Sequence, residues 1–281
     1  MSRVLVTGAS GFIGTHLVPR LRAAGHEVLP MSRTSGEVSD AATWKAYPAA
    51  DAVVHLAARS FVPDSWAAPS AFLRTNVLGT VEAIEYCRAH GASLVFPSSY
   101  MYGHAAEQPI PESAPVVAKN PYALSKKIAE DACEFFADRF DLPITILRPF
   151  NIYGPGQSDA FLVPTIVNQV RAGREIRVKD LEPRRDYVYV IDVVEAMMTA
   201  MASPRGFQVF NIGSGTSHSV AELIRIVQEV WGTNLPVRSD GERRPDEIMD
   251  TVADISRAGR HLSWRPRFTL RQGLEHLHAA P

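Results

Sequence analysis

The chain has 281 residues, 46% of them hydrophobic and 21% charged, with a formal net charge of −1. That length allows one large or two interlocked domains around a substantial core, and the balanced charge speaks against a nucleic-acid or membrane-surface partner. No apolar run is long enough to span a bilayer, and Met1-Ser2-Arg3 leads into the first strand without a signal peptide, so a cytoplasmic protein is expected, with Cys87 and Cys133 as reduced, partly buried thiols.

Val4, Leu5 and Val6 form an apolar run without polar alternation, which suits a strand buried on both faces of a parallel sheet. Gly8, Gly11 and Gly14 follow at every third residue, and Ile13, Leu17, Val18 and Leu21 then mark the inner face of a helix that Gly25 ends. The spacing departs from Gly-x-Gly-x-x-Gly, but a strand before it and a helix after it give the turn meaning. Glycine lets a phosphate approach the backbone, and the helix N-terminus offers free N–H groups to the pyrophosphate of a dinucleotide.

Glu27–Met31 reads as the second strand and ends in Ser32-Arg33-Thr34. An acidic residue here would accept hydrogen bonds from the adenosine ribose of NAD; a serine and an arginine suit a ribose 2′-phosphate, so NADP(H) is favoured and NAD remains possible. The less favoured alternative is that Arg33 is a solvated loop cation. Too few residues precede Glu37-Val38 for a crossover helix. A short helix from Asp40 to Tyr47 opens on an acidic cap, and Asp51–Ala58 is the next buried strand, with His55 expected as a satisfied structural histidine. A long helix is predicted over Ala71–Ala89, a strand over Leu94–Phe96 that ends in Pro97-Ser98-Ser99-Tyr100-Met101-Tyr102-Gly103, a proline-rich loop, a helix over Tyr122–Phe140 and a strand over Ile144–Leu147. This alternation predicts an α/β fold with a Rossmann-type doubly wound parallel sheet.

Beyond Arg148 the rhythm changes. Residues 149–157 read as a loop, Leu162–Arg171 as a helix, Tyr187–Val190 as a strand, and Asp192 as the cap of a helix to Met201. Gln208–Ile212 is a strand, Val220–Trp231 a helix, residues 243–247 a basic loop, and a last helix starts at Leu270. The expected organisation is a dinucleotide-binding domain over residues 1–150 with a return segment at about 183–215, interleaved with a smaller substrate-binding α/β lobe over 151–281.

Tyr122-Ala123-Leu124-Ser125-Lys126 places a phenol and an ammonium one above the other on a helix. A nearby cation favours the phenolate, so the pair could relay a proton to or from a substrate oxygen. Alone, this spacing serves a surface pair as well as a site; Ser98 and Ser99 at the end of a sheet strand add weight, because α/β enzymes place site residues there.

Thr7–Gly14, His55-Leu56-Ala57-Ala58, Asn76-Val77-Leu78-Gly79-Thr80, Ser98–Gly103, Tyr122 with Lys126, Arg148-Pro149-Phe150-Asn151, Arg185-Asp186-Tyr187-Val188, Arg244-Pro245-Asp246-Glu247 and Trp264-Arg265-Pro266 together resemble the extended short-chain dehydrogenase/reductase family of nucleotide-sugar epimerases, dehydratases and reductases. The resemblance implies that Tyr122 is the general acid/base, that Lys126 holds the nicotinamide ribose and lowers the tyrosine pKa, and that Ser98 rather than Ser99 bonds the reacting oxygen. It implies cofactor contacts from Gly8, Ser10, Gly11, Phe12, Ile13 and Gly14, from Leu56, Ala57 and Ala58, and from Ser32 and Arg33. Asn76 would support the active-site helices, and Asn151, Arg185 and Arg244 would hold a substrate diphosphate. Ser99 and Tyr100 stand at substrate positions where dehydratases carry an acidic pair, which argues against dehydration.

Two activities of the family remain: NADPH-dependent reduction of a nucleotide-linked 4-keto-6-deoxy sugar, or 4-epimerisation of a sugar nucleotide of the UDP-glucose type. The segments Ser60–Pro69 and Val178–Tyr187 look like GDP-4-keto-6-deoxy-D-mannose reductases, whereas Tyr187-Val188-Tyr189-Val190 looks more like the epimerases. A homodimer through the two long helices is also expected from the resemblance.

Overall fold

The computed structural model describes residues 1–242 and 247–280. In chain order its strands are β1 (Arg3–Thr7), β2 (Glu27–Met31), β3 (Ala52–His55), β4 (Ser93–Pro97), β5 (Ile144–Pro149), β6 (Asn151–Tyr153), β7 (Ile176–Val178), β8 (Arg184–Tyr189), β9 (Phe207–Ile212), β10 (Ser217–Ser219) and β11 (Val237–Ser239). The helices are α1 (Phe12–Ala23), α2 (Ala41–Lys45), α3 (Val62–Ala67), α4 (Pro69–Leu73), α5 (Gly79–His90), α6 (Pro121–Phe140), α7 (Leu162–Arg171), α8 (Val190–Ala202), α9 (Val220–Trp231), α10 (Ser256–His261) and α11 (Leu270–Ala279).

One compact unit comprises Met1–Gly103, Glu112–Pro149 and Val194–Phe210. It carries a sheet in the order β2-β1-β3-β4-β5-β9, with β1 parallel to β2 and β3, β3 to β4, and β4 to β5. Every residue of β3, β4 and β5 is buried, which is why these strands read as unbroken apolar runs rather than alternating ones. Leu5, Val53, Leu94, Phe96 and Ile144 pack with Ile84 and Cys87 of α5 and with Ala129 and Cys133 of α6, so both cysteines are buried free thiols. The chain runs from β1 to β2 on one side and returns to β3 on the other, and at such a reversal of strand order open α/β sheets bind their ligands.

Local chemistry sets the helix ends. Asn120 caps α6 by accepting a hydrogen bond from the Ala123 N–H at 2.8 Å, Pro121 opens its first turn, and Asp141 in the left-handed region ends it. The helix expected over Ala71–Ala89 is α4 and α5 joined by a π-helical segment, Arg74–Leu78, and it stops at Gly91, whose φ is +65°.

The second unit comprises His104–Pro111, Phe150–Val193 and residues from Asn211 onward. Its strands form a sheet of order β10-β8-β6 and a β11-β7 pair. Two expectations are corrected here. The loop over residues 149–157 contains β6, and Asp192 is not a cap: α8 starts at Val190, and the buried Asp192 carboxylate instead accepts from the backbone N–H groups of Arg267 (2.9 Å) and Phe268 (3.2 Å). Asp186, also buried, is satisfied by donors from Ser214, Gly215 and Ala253. Among the described residues no helix is long and apolar enough to cross a membrane.

Candidate active site

The turn between β1 and α1 is closed so tightly that two of its glycines are obligatory. A Cβ on Gly14 would lie 2.5 Å from the Gly8 carbonyl oxygen and 2.6 Å from that of Ala9. Gly8 has φ +64°, and a Cβ there would stand 2.8 Å from the nitrogen of Ala57, two residues past β3. Gly11 is the N-cap of α1 and brings no side chain to the first-turn N–H groups, which are thus left for an anion. Ser10 and Gly11 are exposed and Phe12 and Ile13 half-buried on this turn, and Leu56, Ala57 and Ala58 lie beyond β3. This cradle fits a dinucleotide.

At the end of β2, Ser32 and Ser35 cap each other across a short 3-10 turn, and the Ser32 and Thr34 hydroxyls are 2.8 Å apart. Arg33 is exposed and makes no side-chain hydrogen bond or ion pair among the described residues. The position thus presents a free guanidinium beside several hydroxyls.

Tyr122 and Lys126 stand one turn apart on α6, but the two heads engage different groups. Lys126 is buried; its Nζ donates to the Pro97 carbonyl at 2.7 Å and lies 4.0 Å from the centre of the Phe96 ring. Burial brings its pKa down from 10.5 to about 8, although the Glu130 carboxylate acts in the opposite sense. Tyr122 packs edge-on to Phe72 at 6.4 Å, and the Ser99 hydroxyl hydrogen-bonds its phenol. The expected lowering of the tyrosine pKa by Lys126 is therefore corrected for the chain alone: burial pushes the phenol up, and the group that pulls it down is Ser99.

The serine assignment divides in the same way. Ser99 meets Tyr122, whereas the Ser98 backbone N–H is fixed by the Leu147 carbonyl at 2.7 Å and its Oγ is buried with no hydrogen-bond partner among the described residues. Asn76, in the π-helical segment, accepts from the Arg59 N–H (2.8 Å) and donates to the Arg59 carbonyl (3.0 Å) and the Ser125 hydroxyl (2.9 Å). It thereby ties the loop after β3 to the helix that carries Tyr122. Ser125 lies between Tyr122 and Lys126 in the sequence, and that position was the available signal for its part in this link.

His55 is buried, with Nδ1 2.9 Å from the Thr7 hydroxyl; burial, then the Lys126 charge, lower its pKa to about 3, so the ring is neutral. It is only half satisfied, because Nε2 has no partner among the described residues. In the second unit Asn151 donates to the Asp186 carbonyl at 3.1 Å. The Arg185 guanidinium is held by Glu247 and by the carbonyls of Ile248 (2.6 Å) and Arg184 (2.8 Å). The Tyr100 N–H donates to the Pro149 carbonyl at 3.3 Å, and Arg244 lies outside the described residues.

The model of the NAD dependent epimerase/dehydratase family matches residues 4–213. A GDP-6-deoxy-D-mannose reductase of Pseudomonas aeruginosa is 30% identical over 97% of this chain and 94% of its own. The solved structure of RMD from Pseudomonas aeruginosa complexed with NADPH superposes with a TM-score of 0.91 at 29% identity, covering 99% of this chain and 98% of that one. The UDP-glucose 4-epimerase of Thermus thermophilus in complex with NAD gives 0.88 at 30% identity, covering 99% and 100%.

Proposed function

The chain belongs to the NAD dependent epimerase/dehydratase family, and from that premise we propose that it reduces a nucleotide-linked 4-keto-6-deoxy sugar with NADPH, in the manner of a GDP-4-keto-6-deoxy-mannose reductase. It is a sugar-nucleotide oxidoreductase or epimerase with an NAD(P) cofactor. The observation that carries the reading is the Tyr122 phenol, hydrogen-bonded by Ser99 on the helix that also buries Lys126. NADPH, when bound in the cradle of Gly8, Gly11 and Gly14, supplies the hydride to the carbonyl carbon. Tyr122 gives its proton to the same carbonyl's oxygen, so that a hydroxyl results. The unpartnered Ser98 Oγ bonds that oxygen, and the Lys126 ammonium holds the nicotinamide ribose.

Preference for NADP(H) is supported by the free guanidinium of Arg33 and the absence of a carboxylate at the end of β2. Residues 60–69 and 178–187, which look like GDP-4-keto-6-deoxy-D-mannose reductases, support the same preference, as does a structural neighbour solved with NADPH. Dehydration is disfavoured because Ser99 and Tyr100 replace an acidic pair, and Ser99 is occupied by Tyr122. For the substrate diphosphate the reading keeps Asn151, Arg185 and Arg244, with Arg185 exchanging Glu247 for phosphate on binding.

The second reading, a 4-epimerase, is favoured by Tyr187-Val188-Tyr189-Val190 and by relatives of equal similarity. Incubation with NADPH and a panel of 4-keto-6-deoxy sugar nucleotides separates the two: oxidation of the nicotinamide is expected. No oxidation, with interconversion of UDP-hexoses instead, would reverse the order. We further propose a homodimer through α5 and α6, supported by the exposed Leu124, Phe135 and Phe140 on α6; a monomeric mass by light scattering would remove it.

A further inference from the structure

We infer that Arg148, together with Glu130 and Tyr102, is a positioning network for this reaction: it locks the serine-bearing loop after β4 to the helix that carries Tyr122 and Lys126. The inference rests on the reading of Tyr122 as the proton donor. All three side chains are buried, at 7%, 6% and 3% exposure. Arg148 grips Glu130 with both edges of its fork, Nη2 donating at 2.6 Å and Nε at 3.1 and 3.2 Å to the two carboxylate oxygens. Its remaining arm, Nη1, donates to the Tyr102 hydroxyl at 3.0 Å and to the Glu112 carbonyl at 3.2 Å, and the guanidinium carbon lies 5.3 Å from the Tyr102 ring centre.

Stability is a weak reason for such a cluster, because a buried ion pair commonly does no better than apolar side chains of the same volume. What it connects is more informative. Glu130 follows Lys126 by four residues and Tyr122 by eight, so all three share one face of α6. Tyr102 follows Ser99 by three residues. The near end of the same loop is fixed to β5 by the Ser98 N–H on the Leu147 carbonyl and the Tyr100 N–H on the Pro149 carbonyl. Arg148, between those two acceptors, fixes the far end through Tyr102 and at the same time holds α6 through Glu130. Ser99, whose hydroxyl acts on the Tyr122 phenol, belongs to one of the two bodies that Arg148 clamps and Tyr122 to the other, and a misplacement of about 1 Å between them would cost on the order of a hundredfold in rate. A planar bidentate fork suits this task, and an ammonium does not.

Tyr102→Phe keeps the ring and removes only the hydroxyl that Arg148 grips. We expect it to bind NADPH within about twofold of the native affinity and to melt within a few degrees of it, while kcat falls roughly tenfold at unchanged KM for the sugar nucleotide. Arg148→Lys keeps the charge and loses the fork; a larger fall in kcat is expected, and if this variant does not fold, Tyr102→Phe decides. Native kcat in Tyr102→Phe, or a loss that tracks only the fraction of folded protein, would overturn the inference. Tyr122→Phe assayed alongside separates the two levels: native turnover in it overturns the underlying reading, whereas an inactive Tyr122→Phe with a native Tyr102→Phe overturns the positioning network alone.

Discussion

A buried ammonium and a buried hydroxyl without a partner among the described residues are costs that a stable fold would shed, and Lys126 and Ser98 carry them. Lys126 keeps its proton to about pH 8 in the folded chain and to about 10.5 in the unfolded one. Between these values the unfolded chain binds more protons, so this site's contribution makes stability rise with pH from about 8 to 10.5. The penalty for burying the charge exceeds what the Pro97 hydrogen bond and the Phe96 ring return. Lys126→Met should therefore stabilise the chain at pH 7 by roughly 1–3 kcal/mol, flatten that pH dependence in urea unfolding, and abolish turnover. Ser98→Ala follows the same logic. The orphaned Oγ costs on the order of 1–3 kcal/mol, so the variant should be as stable as the native chain or more so, while kcat drops; a clear loss of stability would mean that Ser98 serves the fold. The residue types and the helical spacing of Tyr122 and Lys126 were readable in the sequence. Which serine meets the phenol was not, because the path of the loop after β4 is set by the carbonyls of Leu147 and Pro149 and by Arg148, all more than 40 residues away.

At the scale of elements, the strand, glycine turn and helix at the start of the chain were legible because local chemistry dictates them. α7 and α9 were legible because periodic apolar faces and end signals agree. The three-residue strands β6, β7, β10 and β11 carry no periodicity of their own and exist through their pairing partners. The π-helical turn at Asn76 was likewise hidden, since the apolar pattern continues through it. Asp192 mimics an N-cap in sequence, yet its acceptors serve Arg267 and Phe268, 75 residues on. The glycine turn can be tested directly. Gly14→Ala puts a methyl 2.5 Å from the Gly8 carbonyl oxygen, which cannot move without the turn. We expect destabilisation by roughly 2–3 kcal/mol and loss of NADPH binding. Gly25→Ala is the control: its φ of +85° carries a backbone cost of about 1–2 kcal/mol, but nothing lies within 4 Å, and NADPH binding should survive.

For the whole molecule, relatives of about 30% identity include both a reductase and an epimerase, so likeness alone leaves the direction of chemistry to the cofactor. A ligand at a hundred times its Kd stabilises its fold by about 2.7 kcal/mol. NADPH should accordingly raise the melting temperature more than NADH at equal concentration, and Arg33→Ala should close that gap; equal shifts in the native protein would remove the NADP preference. The central claim, that the Tyr122 phenol supplies the proton, is tested most directly by following nicotinamide oxidation in a single turnover of Tyr122→Phe with NADPH and the sugar nucleotide that the native protein reduces. NADPH binding should be retained and the rate should fall by at least about a hundredfold; oxidation at the native rate would contradict the account.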